Sequence, residues 1–284
     1  MATPTLSRHI LPGALGEIFV DVRAGGRNSP RPAVVLVHGF KGFKDWGFWP
    51  PFAERLARAG FTAVSFNMSG SGVDAGGQPS LGDRFSHNTF SADLVDLDAV
   101  VTALVTGALD VAAPSTLGLV GHSRGGGMSI LHAARDARVK ALVTWAAVAS
   151  TNRWGAETRK RWREAGFLNV TNTRTGQVLP MLTDLLDDVE QYGDTLDVLR
   201  AAAAVTVPWL ILHGRQDETV SFDDAEALAR ASARPTTTLR AMDHTGHTFG
   251  AAHPWQPPVP ASDLLFSLTL DFLSRALIGG EERR

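Results

Sequence analysis

Gly121-His122-Ser123-Arg124-Gly125 is the stretch whose residue types could do chemistry. Gly121, Ser123 and Gly125 fit the G-x-S-x-G pattern, in which a sharp strand-to-helix turn lifts a serine hydroxyl clear of a sheet. Such a turn strains the serine backbone and brings the flanking positions together, so both must be nearly free of side chain. Leu117 to Val120 read as a buried strand before it, and Met128, Leu131 and His132 as a helix after it. A glycine-rich turn with no chemistry would give the same pattern, so its partners must decide.

A serine hydroxyl is a weak nucleophile until a base takes its proton. His247 and His244 are the candidates. The run Gly246-His247-Thr248-Phe249-Gly250 favours His247, because flanking glycines let the loop turn an imidazole inward. The base in turn needs an acid on its other ring nitrogen. Asp217 closes the run His213-Gly214-Arg215-Gln216-Asp217, with Glu218 as the fallback. Ser123, Asp217, His247 is the nucleophile–acid–base order found with this elbow. An acyl-transfer intermediate also needs main-chain donors for its oxyanion. The N–H of Arg124, just after the serine, and that of Phe40, in His38-Gly39-Phe40, are expected to supply them. His244, His247 and His253 with Asp243 are too loosely spaced to hold a metal, and no metal is expected. Trp46, Trp49, Trp154 and Trp162 are candidates for an apolar acyl pocket; core packing is the other reading of each.

The chain has 284 residues, 44% of them hydrophobic, enough for one large α/β domain with a sizeable core. It carries 27 basic and 29 acidic residues, a net charge of −2, which predicts neither nucleic acid nor an anionic membrane as partner. With no cysteine, disulfides, thiolate catalysis and Cys-ligated zinc are excluded. Met1 to Gly16 lacks a basic segment followed by an apolar one, and no apolar run is long enough to span a bilayer. The expectation is a soluble cytoplasmic protein.

The elements that must position these residues follow from hydrophobic patterning. Residues 8 to 23 predict a strand or hairpin. Ala33 to Val37, Phe61 to Phe66, Leu117 to Val120, Ala141 to Ala147, Val207 to Leu212 and Thr236 to Met242 predict strands, and helical spacing separates most of them. Thr89 or Ser91 should cap the helix carrying Leu94, Leu97, Val101 and Leu104. Ser221 with Asp224 resembles a capping box. Gly70-Ser71-Gly72-Val73-Asp74-Ala75 matches G-x-G-x-x-A, but Gly76, Gly77 and Pro79 leave no helix there to receive a pyrophosphate. Residues 148 to 205 break the alternation and predict helices inserted over the carboxyl edge of a mostly parallel sheet, with Val178 to Leu199 helical. The turns after Val37, Val120, Leu212 and Met242 then fall on one rim, where open α/β sheets bind ligands.

His38-Gly39-Phe40, the serine pentapeptide, His213 to Asp217 and Gly246 to Phe249 together resemble the α/β-hydrolase superfamily, in its serine esterase, dienelactone-hydrolase-like and acyl-peptidase-like branch. The resemblance runs from about Val34 to Leu277. It implies an eight-stranded sheet with helices on both faces, a Ser/Asp/His triad, no cofactor, and a variable insertion that shapes specificity. Dienelactone hydrolases use a cysteine nucleophile, which this chain lacks, and dehalogenases use an aspartate at the elbow. The resemblance therefore implies a single domain over residues 1–284, with residues 148–205 as a cap, cleaving small carboxylic esters through an acyl-enzyme. An amidase or peptidase with the same triad, a non-catalytic binding module, and perhydrolase or lyase chemistry are the alternatives the fold allows.

Overall fold

Unbroken apolar runs become strands buried on both faces, because only covered strands tolerate them. The computed structural model describes residues 3–171 and 178–279. It opens with an antiparallel hairpin, β1 (Thr5–Gly13) and β2 (Gly16–Ala24). Next come β3 (Ala33–Val37), α1 (Trp49–Arg58), β4 (Thr62–Asn67), the short α2 (Gly82–Ser86) and α3 (Phe90–Val105). β5 (Leu117–His122) feeds α4 (Arg124–Ala133), and β6 (Val139–Trp145) follows. A segment of α5 (Ala156–Ala165), β7 (Phe167–Thr171), β8 (Val178–Leu182), α6 (Asp184–Tyr192) and α7 (Val198–Ala204) intervenes. The chain ends with β9 (Trp209–Gly214), α8 (Phe222–Ser232), β10 (Thr237–Met242) and α9 (Pro260–Leu277).

Eight strands form one sheet in the order β1-β2-β4-β3-β5-β6-β9-β10. β2 pairs antiparallel with β1 and β4, and every other neighbour is parallel. The alternation of side chains divides the core in two. Val34, Leu36 and Val120 pack with Phe52 and Leu56 of α1 and Leu265 of α9, while Val35, Val37 and Leu119 pack with Leu97 of α3 and Met128 of α4. β3 has β4 on one side and β5 on the other, so successive crossovers leave it in opposite directions. That is a topological switch point, and it opens a crevice between the loop after β3 and the loop after β5.

Helix starts follow local chemistry in part. Thr89 caps α3, accepting from the Ala92 N–H at 3.1 Å. Ser221 caps α8, accepting from the Asp223 N–H at 3.2 Å, but the capping box with Asp224 does not form. Asp224 instead accepts from Arg153 Nη1 at 2.9 Å and the Ala149 N–H at 3.1 Å. A charge-assisted bond to a guanidinium outcompetes a reciprocal cap.

The segment over residues 148–205 is not helical throughout, contrary to the helical periodicity of Val178 to Leu199. Val178 to Leu182 is the strand β8, paired antiparallel with β7. Cross-strand pairing overrides the helical spacing there; residues 172–177 lie outside the described residues. The segment is fastened to the body by Asp188 of α6. Its carboxylate accepts the N–H groups of Phe90 and Ser91 at 2.9 and 3.1 Å, together with the Ser91 hydroxyl, and so satisfies donors at the start of α3. No helix among the described residues is long and apolar enough to cross a membrane.

Candidate active site

Ser123 joins β5 to α4 with φ 56° and ψ −122°, a left-handed backbone that a non-glycine residue adopts only under constraint. A Cβ on Gly125 would overlap the main-chain carbonyls of Val37 and His38, so only glycine lets α4 start this close to β3. The Oγ of Ser123 lies 3.1 Å from Nε2 of His247, and Nδ1 of His247 lies 2.8 Å from Oδ2 of Asp217. The structure brings Ser123, Asp217 and His247 together in that order. His244 is exposed with φ 52°, and Glu218 is exposed, so neither joins them.

The loops carrying acid and base are tied to each other. The Thr245 N–H donates to Oε1 of Gln216 at 2.8 Å, and the Gln216 N–H returns a bond to the Thr245 carbonyl at 3.1 Å. His122 donates from Nε2 to the carbonyl of His247 at 2.9 Å, anchoring the base from the elbow side. Oδ1 of Asp217 accepts the N–H groups of Thr219 and Val220, both at 2.9 Å. His213 Nε2 sits 3.3 Å from Oδ2 of Asp217 and 2.9 Å from the Val220 carbonyl. Burial alone would push the Asp217 carboxyl up. The bonds from His213, His247 and Val220 outweigh it and hold the group well below the usual carboxylate range. Asp217 is therefore a fixed anion that can hold the imidazole in one tautomer and stabilise its protonated form.

The loop after β3 faces the elbow: a Cβ on Gly39 would lie 2.9 Å from the Cβ of Ser123. His38 accepts the Met68 N–H on Nε2 at 3.1 Å and donates from Nδ1 to the Gly39 carbonyl at 2.9 Å. The Gly42 N–H also donates to that carbonyl, at 2.9 Å. Since the peptide is planar and trans, pinning the Gly39 carbonyl toward His38 turns the Phe40 N–H the opposite way. Arg124 is the first residue of α4, so its N–H belongs to the helix's unsatisfied first turn.

The Arg124 side chain runs the other way. Its Nε donates to Oδ2 of Asp93 at 2.6 Å, its guanidinium carbon sits 4.1 Å from the centre of the Phe90 ring, and Oδ1 of Asp93 takes a bond from Asn88 at 2.9 Å. This buried pair clamps α4 to α3. Patterning missed it because Asp93, in the first turn of α3, reads as an ordinary helix-dipole partner.

A cavity of about 580 Å³ opens over Ser123 and His247. Trp46, Trp49 and Trp154 line it, together with Phe90 and Val148. Trp162 does not; it is buried behind Trp154 at 5.3 Å between ring centres and donates from its indole to the Met181 carbonyl at 2.9 Å. Arg153, Thr219 and Val220 are lining residues that patterning did not single out, because they come from loops whose course only tertiary contacts determine. Far from this cavity, Asp98, His132 and Asp136 cluster, and Nη2 of Arg138 lies 2.6 Å from an oxygen of each carboxylate.

Two buried imidazoles make the fold sensitive to acid. Burial lowers the pKa of His38 and of His132 below the ordinary 6.5, so both bind a proton less readily in the folded chain than in an unfolded one. Each contributes stability that is lost as pH falls below about 6.5, with a slope of up to about 1.4 kcal/mol per pH unit until its folded pKa is reached. His87, whose pKa Asp184 raises, acts in the opposite sense but is only half-buried and screened. Urea unfolding between pH 7.5 and 5 should therefore give falling stability, with a shallower slope in His132→Gln. An unchanged slope would remove His132 from this explanation.

A profile of the α/β hydrolase family matches residues 34–259, most of the chain, and the protein belongs to that family. The chain is 23% identical over 275 residues to 2,6-dihydropseudooxynicotine hydrolase of Paenarthrobacter nicotinovorans, covering 94% of this chain and 66% of that relative's length. A putative hydrolase from Agrobacterium vitis superposes with a TM-score of 0.72 at 19% identity, covering 94% of this chain and 99% of the other. An esterase from Pyrococcus furiosus superposes at 0.65 with 15% identity, covering 96% and 92%. At these identities the structural likeness speaks for the fold.

Proposed function

We propose that this hydrolase is a serine carboxylesterase acting on small-molecule esters, and that residues 148–205 form the cap of a single hydrolase domain. The observation that carries the reading is the continuous relay from Ser123 Oγ through His247 to Asp217, at 3.1 and 2.8 Å, with Ser123 and His247 lining the cavity. As Oγ attacks the ester carbon, its proton passes to Nε2 of His247 and the carbonyl electron pair moves onto oxygen. The N–H groups of Phe40 and Arg124 receive that oxyanion, and each such donor is worth roughly 3 kcal/mol in the transition state. Collapse restores the carbonyl, breaks the bond to the alcohol oxygen, and returns the proton from His247 to the leaving alkoxide. Water then repeats the sequence on the acyl-serine and releases the acid. Esterases among the structural relatives, and a curated relative named as a hydrolase, are in keeping with a hydrolytic reading.

Hydrolysis of p-nitrophenyl esters from acetate to octanoate tests the reading, beside a matched anilide. The cavity is large for an acetyl group, so kcat/KM should rise beyond acetate. Ester turnover should also exceed anilide turnover. A folded protein that cleaves only the anilide would be an amidase, and one that cleaves neither would overturn the esterase reading in favour of a binding module or of lyase chemistry on the same fold.

A further inference from the structure

The charged residues lining the cavity over Ser123 are Lys41, Arg124 and Arg153, all basic, and the Arg124 guanidinium is turned away onto Asp93; among the described residues no acidic residue lines it. The neighbouring carboxylates already have partners. Asp217 is occupied by His247 and two main-chain N–H groups, and Asp93 by Arg124 and Asn88. Asp224 accepts the Ala149 N–H as well as Arg153.

Arg153 is the cation best placed to read a ligand. Its Nη1 donates to Asp224 at 2.9 Å and its Nη2 to the Thr219 carbonyl at 3.4 Å, which holds the guanidinium at the acid turn on the cavity wall. Those bonds use two of the five N–H groups such a side chain carries, and its side chain is 31% exposed. A planar fork fixed in this way loses little freedom on meeting a second carboxylate. Lys41 reaches from the loop after β3 to the Thr171 carbonyl at 3.0 Å, adding a second basic group to the same wall. Much of the rest of the lining is aromatic, with Trp46, Trp49, Phe90 and Trp154.

We propose that the natural substrate is a carboxylate-bearing ester, its apolar body against the aromatic wall and its free carboxylate at Arg153. The inference rests on the esterase reading and adds the substrate's charge. Two matched pairs of esters test it: mono-p-nitrophenyl adipate against p-nitrophenyl hexanoate, and 4-carboxyphenyl butyrate against 4-carbamoylphenyl butyrate. The first pair puts the carboxylate on the acyl side, the second on the alcohol side. In at least one pair kcat/KM should favour the anionic ester by about tenfold or more at low salt, since attraction between opposite charges at a partly desolvated site is strong and screened by salt. That ratio should fall at least fivefold in Arg153→Gln and in 0.5 M salt. Equal or neutral-favouring ratios in both pairs, or a ratio that Arg153→Gln leaves unchanged, would overturn the substrate charge alone. Failure of the folded protein to cleave any of the four esters would overturn the esterase reading and this inference with it.

Discussion

Replacing Ser123 with alanine should lower kcat for ester hydrolysis by about four orders of magnitude or more, with the thermal transition kept within a few degrees of wild type. The Oγ atom is the group facing His247 Nε2, at 3.1 Å, and its removal leaves the cavity nothing to acylate. The fold should survive because the strain at Ser123 is set by the main chain, which alanine adopts as well as serine does. His247→Ala should cost a similar factor, since members of one relay act as a unit. His244→Ala, on an exposed turn, should stay near wild type. Steady-state kinetics with circular dichroism on the three variants checks this. Damage from His244→Ala in place of His247→Ala would transfer the base to the other histidine.

Asp93→Ala should destabilise the protein by about 3–5 kcal/mol, the usual consequence of leaving a buried charge without its partner. The side chains of Asp93 and Arg124 are 2% and 7% exposed, so solvent screens little of the pair. Arg124 also follows the serine directly, so releasing its side chain loosens the start of α4 and the proposed oxyanion donor with it. Rate as well as stability should fall. The double variant Asp93→Ala/Arg124→Met should regain much of the lost stability, because a buried ion pair replaced by apolar groups of similar volume is often neutral. Urea unfolding of the two variants decides the point. A double variant no more stable than Asp93→Ala would mean that the pair's geometry, beyond its charge balance, holds α4 to α3.

Patterning reads the centre of this molecule well and its periphery poorly, for physical reasons. Ala33–Val37 and the strand before Ser123 are legible because a strand buried on both faces must be apolar throughout. The rim is legible because ligand chemistry in such a sheet falls at strand ends, and Phe40, Ser123 and Asp217 each follow one closely. His38, His122 and His213 stand in the same motifs, yet their work of pinning the Gly39 peptide, the His247 carbonyl and Asp217 depends on contacts with distant chain. The β7–β8 hairpin is half-exposed and carries Pro180, so neither period nor propensity marks it. Trp162 and Trp154 read alike in sequence. Only the packing of α5 on the hairpin buries one and leaves the other facing the cavity.

The central claim is that Ser123 becomes acylated with His247 as its base. Intact-protein mass spectrometry after treatment with a fluorophosphonate, followed by peptide mapping, tests it most directly. One phosphonyl group should attach to the peptide containing Ser123, none should attach in Ser123→Ala, and labelling of His247→Ala should be slowed by orders of magnitude. A protein that hydrolyses esters yet takes no label, or takes it on another residue, would contradict the account.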